Sequence, residues 1–474
     1  MRERYARILE LALPLMAGSL VEALYNLTDA FFLGKLGAAE IGAPSIAFSF
    51  VVILIVVGSG LSSAGTTLIA QARGRGEAAA ANRHLNQTAG FMLMASLALS
   101  VLGAPLSPLL LRLVGTPAEV FPYARSYLSI IFLGLPFSYC YFILQASMTA
   151  AGDAFSPLKV HLIAVGANVV LAPLLIFGYG PFPRLGVAGA AIATVLAQGL
   201  GAFLSLRILI RGRHGLRLRL QEMRPRLEAM ALVAKVGLPS SAGMAFEAMG
   251  FTVLQGLVNR FGPAAIAAFG VGNRIIALVG IPSAAIGGAT TALVGHAIGA
   301  GELDRAHSTV RSSLLLCAAL LVPPLLLSVA YGPGLVRFFI ADPEAMRLGG
   351  IMFRIVSPSV LVFGMFVVLT GAFQGAGDTR IIMLLSIVRL WVIRVPLAWA
   401  LALYGGFGPL SIWYAMFVSN TVVALAGFLH YRAGRWTRAL LPGPGDPGWK
   451  ASRGPKMAEL AVRSVDSNGS DRLN

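Results

Sequence analysis

Two cysteines in 474 residues, Cys140 and Cys317, leave no room for a disulfide framework. Both fall within apolar stretches and read as small core hydrophobes. Charge is equally scarce. Asp, Glu, Lys and Arg make up 12% of the chain, where a soluble globular protein carries about 25%. No G-x-x-x-x-G-K-[ST] phosphate loop and no H-E-x-x-H occurs. His84, His161, His214, His296, His307 and His430 are scattered, without metal-ligand spacing. Nucleotide hydrolysis, metal chemistry and a resident cofactor are therefore not expected. What is abundant is oil: 57% of residues are hydrophobic, and mean hydropathy is +0.78. The class is an all-α polytopic membrane protein.

The net charge of +17 would suit nucleic acid, but its placement argues for a lipid bilayer instead. Most of the 37 Lys and Arg lie in alternate loops and at the termini, between apolar spans. That bias predicts both termini on the cytoplasmic side of the cell inner membrane. The basic start (1–7) leads into a long span with no small-residue cleavage site, which reads as an uncleaved first helix. Windows of about 19 or more apolar residues give twelve transmembrane helices, from 11–34 to 411–431. The most polar internal segment is Arg211–Arg226. The expected division is a six-helix bundle over 1–210, a cytoplasmic linker over 211–235, a second bundle over 236–432 and a disordered cytoplasmic tail over 433–474.

The two bundles are copies. A shift of 225 residues brings Pro14 onto Pro239, Gly18 onto Gly243 and Glu22 onto Glu247. The same shift matches Thr66 with Thr291, Gly74 with Gly299, Gly76 with Gly301 and Gly152-Asp153 with Gly377-Asp378. Six spans per copy is an even number, so both copies share one orientation. Their axis then runs along the membrane normal, a parallel repeat with a central cleft.

Chemistry concentrates in Leu11–Gly34. At about 100° per residue, Glu22, Tyr25, Asn26 and Asp29 form one polar stripe on an otherwise apolar helix. An ionised carboxylate at mid-membrane costs at least ~2.5 kcal/mol, so such groups face a bundle interior or a wet cavity. A carboxyl there holds a proton or a cationic ligand, and poorly both, which is the minimal chemistry of an antiporter. Glu247 is the copy of Glu22, either a second such acid or the partner of Arg274, Arg389 or Arg394. Arg389 and Arg394 lie about 140° apart on a regular helix, so at most one points at the cleft. Gln145, Thr194, Gln198 and Gln255 line the cleft or tie helices together. Tyr139, Phe246, Met249 and Phe251 suit the ring face of an aromatic cation, or plain core. The candidate substrate contacts are Tyr25, Asn26, Tyr139, Gln198, Phe246 and Gln255.

From Pro14 to Gly37 the chain reads P-x7-E-x-x-Y-N-L-x-D-x-x-F-x-G-x-L-G. With GTTLIAQARGRGEAAAANR, the AAGD and GAGDT turns, the V-G-L-P of the seventh helix and Asn168 with Pro173, it resembles the multidrug and toxic compound extrusion (MATE) transporters over residues 8–432. The resemblance implies a two-lobed exporter, working as a monomer, that exchanges H⁺ or Na⁺ for small organic, mostly cationic, compounds. It implies that Asp29 is the coupling acid, Asn168 its fifth-helix partner and Glu247 the seventh-helix acid. With Glu22 these are the candidate ion-coupling residues. Three departures stand out: Ala172 replaces an acid of the fifth helix, no acid lies near Phe363, and Glu22 stands where the family commonly has Gln. The thin supply of converging oxygens favours H⁺ over Na⁺. The rivals are a lipid-linked oligosaccharide flippase, which wants a cationic cleft, and an intramembrane enzyme, which wants clustered catalytic groups.

Overall fold

In a bilayer core no water satisfies backbone N–H and C=O groups, so long apolar stretches close their hydrogen bonds internally as helices. The structure, a computed structural model, describes residues 2–224 and 226–437. The tail expected from 433 lies outside the described residues beyond Thr437. Twelve helices are long and apolar enough to cross a membrane, and no strand occurs among the described residues. They are α1 (Arg2–Gly34), α2 (Ala38–Gly74), α3 (Ala78–Leu113), α4 (Phe121–Ala150), α5 (Phe155–Phe177) and α6 (Gly186–Arg211), then α7 (Leu227–Val258), α8 (Pro263–Gly299), α9 (Leu303–Arg337), α10 (Pro343–Ala376), α11 (Thr379–Leu403) and α12 (Leu410–Arg432). A π-helical turn, Val388–Arg394, interrupts α11. The side on which α1 begins and α12 ends is termed basal, and the opposite side distal.

The repeat is visible as matched geometry. Gly76 and Gly301 sit at φ +74° and +76° between α2 and α3 and between α8 and α9. Gly152 and Gly377 sit at +86° and +87° after α4 and α10. At these turns the chain must enter the left-handed region to leave its helix, which glycine does without strain. Thr66 Oγ1 donates to the Ala146 carbonyl at 3.4 Å, and its copy Thr291 donates to Gly371, the copy of Ala146, at 3.1 Å. Asp153 meets His214 at 2.9 Å and its copy Asp378 meets His430 at 2.8 Å, each latching a basal turn. Burial pushes the Asp153 carboxyl up, but hydrogen bonds from Ser156 and His214 and the Arg213 charge outweigh it and leave it below the usual carboxylate range.

The linker after α6 is not loose. Its backbone N–H groups at Arg217, Arg219 and Arg226 donate to the side-chain oxygens of Asn82, Asn86 and Gln87 at 2.7, 2.7 and 3.0 Å. These amides lie on one face of the basal half of α3, so a polar segment is satisfied along a helix instead of by water.

Each lobe has its own apolar core, and the first helix of each half reaches into the other. Ile8, Leu11 and Ala12 of α1 are buried in the second lobe's core. Val233 and Val236 of α7, the copies of Ile8 and Leu11, are buried in the first lobe's core. The lobes are thus joined by a reciprocal exchange at the basal side. Beside it α2 and α8 come to backbone contact. A Cβ at Gly74 would stand 2.1 Å from the His296 carbonyl oxygen, and one at Gly299 2.1 Å from that of Gln71. Gln71 and His296 are themselves copies. Thr67 Oγ1 and Gln71 Nε2 donate across this seam to the carbonyls of Gln374 and Gly375 at 2.8 and 2.9 Å. The basal seam is shut.

Candidate functional site

The polar stripe of α1 meets a matching stripe on α5. The two helices run parallel, and each carries polar groups seven residues apart: Glu22 and Asp29 on α1, His161 and Asn168 on α5. Seven residues are two turns, about 20° off alignment and ~10 Å along the axis. The result is two rungs between neighbouring helices. In the basal rung His161 Nε2 lies 3.2 Å from Glu22 Oε2, with side chains 15% and 48% exposed. The Tyr141 ring of α4 lies over His161 at 5.4 Å. In the distal rung Asn168, fully buried, turns its amide nitrogen to Asp29 Oδ1 at 3.1 Å. In that orientation its oxygen accepts from Thr194 Oγ1 at 3.3 Å and Thr194 N at 3.2 Å. Thr194 Oγ1 also meets the Tyr25 hydroxyl at 3.0 Å, and Tyr25 itself lies against Asp29. The acid is held in a closed ring of α1, α5 and α6 side chains.

Beside the rungs lies a cavity of about 680 Å³, walled by α1, α2, α4, α5, α6 and a strip of α8. Glu22, Tyr25, His161, Asn168, Thr194 and Gln198 reach it, with Gln145 and four Ser/Thr hydroxyls of α2. The second lobe contributes Ala284, Ala285, Gly288 and Thr291, a small and mostly apolar wall. Among the described residues no Lys or Arg lines the cavity, and the single carboxylate there is that of Glu22. Its sign therefore suits a cation. Asp29 lies one layer behind the wall, reached through Asn168 and Tyr25.

Apart from Gln198, which is on the cavity wall, the remaining sequence candidates lie elsewhere. Asn26 Nδ2 donates to the Glu22 carbonyl at 2.9 Å and stays on its own helix. Tyr139 is 0% exposed, and its hydroxyl donates to the Leu54 carbonyl at 2.9 Å, pinning α4 to α2. Gln198 accepts from the Ser138 hydroxyl at 2.7 Å. The Phe246 carbonyl accepts from Trp391 Nε1 at 3.0 Å, and Gln255 donates to Asn259 at 2.9 Å near the distal end of α7. Glu247 is ion-paired with Arg389, the two side chains 32% and 3% exposed. Arg389 also lies over the Phe363 ring at 4.2 Å. Arg394 is buried among Ser419 and Asn420 of α12, with Phe251 at 5.8 Å. The π-helical turn bonds residues five apart, which brings both arginines toward one face where a regular helix would set them about 140° apart. The second lobe thus neutralises its copy of Glu22, Glu247, with a tethered cation.

Metal-ligand spacing among the histidines gives no hint of His161, whose place in the site comes from the helix packing. The available signal was its spacing, two turns before Asn168, mirroring Glu22 and Asp29. Among the described residues no group of three His, Cys, Asp or Glu is gathered to hold a metal.

The MatE family model matches residues 14–174 and 239–400, one match in each lobe. The probable multidrug resistance protein YpnP of Bacillus subtilis is 29% identical over 427 residues, covering 90% of this chain and 94% of its own. The probable multidrug resistance protein NorM of Rhizobium meliloti is 27% identical over 447 residues, covering 92% and 94%. A solved outward-facing conformation of a multidrug resistance MATE family transporter superimposes with a TM-score of 0.84 at 22% identity, covering 91% of this chain and 96% of that one.

Proposed function

The chain belongs to the MatE family, a multi-pass membrane transporter family, and from that premise we propose that it exports organic cations in exchange for protons at the Glu22–Asp29 cavity. One observation carries this: a cavity large enough for a drug-sized ligand, walled among the described residues by one carboxylate and no Lys or Arg, with a second, half-buried carboxylate directly behind it. The flippase alternative would need a cationic wall for a pyrophosphate group, and the sign here is opposite.

The two rungs divide the work. Ionised Asp29 is held by the amide N–H of Asn168. When Asp29 takes a proton, Asn168 turns its oxygen to the new O–H, and its nitrogen reaches Thr194 Oγ1 at 3.3 Å. The amide can therefore answer either charge state of Asp29, and the ionised setting is the one that also matches the Thr194 backbone N–H. A sodium ion would need the donors turned away from the carboxylate, which favours the proton. At the cavity wall Glu22 holds either His161 or the cargo cation. Glu247 stays neutralised by Arg389 and supports the second lobe. With the basal seam shut, cargo leaves distally. The Lys and Arg bias supports a cytoplasmic basal side in the inner membrane, and the protein works as a monomer.

The test is ethidium transport in proteoliposomes under an imposed pH gradient or an imposed Na⁺ gradient. The pH gradient alone should drive it, and Asp29→Asn should abolish it while the protein still inserts. Transport driven by Na⁺ alone, or full transport by Asp29→Asn, overturns the reading.

A further inference from the structure

A second cavity, of about 720 Å³, lies at the basal seam, apart from the transport cavity except for the shared wall at Thr149. It is built by α1, the end of α2, the turn after α4, the end of α8 and the start of α9. Arg4, Arg7, Arg73 and Arg305 gather there around His296. Arg305 is ion-paired with Glu302 at 2.8 Å, and Arg73 donates to the His214 carbonyl at 2.8 Å. Arg4 and Arg7 make no ion pair or hydrogen bond among the described residues. Glu3 and Asp304 also reach the cavity, so with Glu302 three carboxylates stand against four guanidinium groups and the site stays positive. Its other wall is apolar, formed by Ile8, Leu11 and Leu293.

The geometry points to a binding site for a phosphate-bearing anion, bridging the two lobes. Arginine forks suit phosphate oxygens, and basic pockets between helices at this depth take anionic lipid headgroups. The apolar wall would carry the glycerol and first acyl carbons of such a lipid. Lobe one supplies Arg73 and the turn after α4, lobe two supplies His296 and Arg305, and α1 lies between them. All converge only while the seam is shut. The ligand therefore binds the closed seam better and shifts the protein toward it. This binding claim stands apart from the transport reading.

The test uses purified full-length protein with short-chain phosphatidylglycerol, phosphatidylcholine of equal chain length, or inorganic phosphate. Binding is read as the shift in thermal unfolding midpoint against concentration. Phosphatidylglycerol should stabilise the wild type and phosphatidylcholine should not. With Arg4→Gln and Arg7→Gln together, the affinity should fall at least about tenfold, and Arg112→Gln on the distal side should leave it unchanged. Stabilisation by inorganic phosphate as well makes the phosphate alone the recognised group, and its absence makes the lipid the source. No stabilisation by either anion, or equal response of the double variant and the wild type, overturns the proposal. As a second readout, spin labels at Ala79→Cys and Leu303→Cys should report a narrower basal distance distribution with phosphatidylglycerol. An unchanged distribution overturns the bridging role.

Discussion

Replacing Gly74 by alanine tests the basal seal with a perturbation of one methyl group. That methyl would stand 2.1 Å from the His296 carbonyl oxygen and 2.9 Å from the Ala300 nitrogen. Ordinary contact begins near 3.4 Å, so α2 and α8 must part by about 1 Å where both are backbone and neither can swing aside. Overpacking of this kind costs about 1–3 kcal/mol. Because the contact exists only while the seam is shut, that cost falls on one state alone, and the closed-to-open ratio should drop roughly 5- to 150-fold. Gly299→Ala places the same clash at the copied position, 2.1 Å from the Gln71 carbonyl oxygen, and should do the same. The assay is double electron–electron resonance between labels at Ala79→Cys and Leu303→Cys, with Cys140 and Cys317 replaced by alanine. Each variant should gain a longer-distance population. Distributions and transport rates unchanged from the wild type in both variants would refute the argument that these glycines close the seam.

Three further outcomes follow from named contacts. Glu22 is the carboxylate on the cavity wall and His161 Nε2 lies 3.2 Å from it, so Glu22→Gln should weaken tetraphenylphosphonium binding and His161→Gln should change it in a binding titration. Glu247→Gln leaves buried Arg389 without its counter-ion, which costs about 3 kcal/mol, the lower end for a broken buried pair given Glu247's partial exposure. Thermal unfolding should record that loss, and adding Arg389→Leu should recover it. The Asp153 carboxyl titrates lower folded than unfolded, so its contribution is present above the unfolded value, about 3.9, and is lost as pH falls through the folded value beneath it. Asp153→Asn should therefore lower the unfolding midpoint at pH 7, and the gap from wild type should close toward pH 3.

The twelve spans and the 225-residue repeat were legible because hydrophobic length and copied glycines are local signals. The α1 acids were legible for the same reason: polar groups on one stripe of an apolar helix have few places to go. What stayed hidden depends on partners far along the chain. Nothing near Ile8 or Val233 announces that each is buried in the opposite lobe's core. Tyr139 reads as a cleft aromatic until Leu54 supplies a carbonyl for its hydroxyl. The 140° between Arg389 and Arg394 assumed a regular helix, and the π-helical turn removed that assumption. His161 was readable in principle, since the seven-residue spacing of α1 recurs on α5, but only once the two helices are known to be parallel neighbours.

The most direct measurement counts the protons released when cargo binds, using a pH indicator dye with the purified protein in weak buffer. Tetraphenylphosphonium added to the wild type near pH 6 should release protons as it binds, and the Glu22→Gln, Asp29→Asn double variant should release none. Binding without proton release in the wild type, or equal release by the double variant, would contradict a cavity that holds proton and cargo by turns.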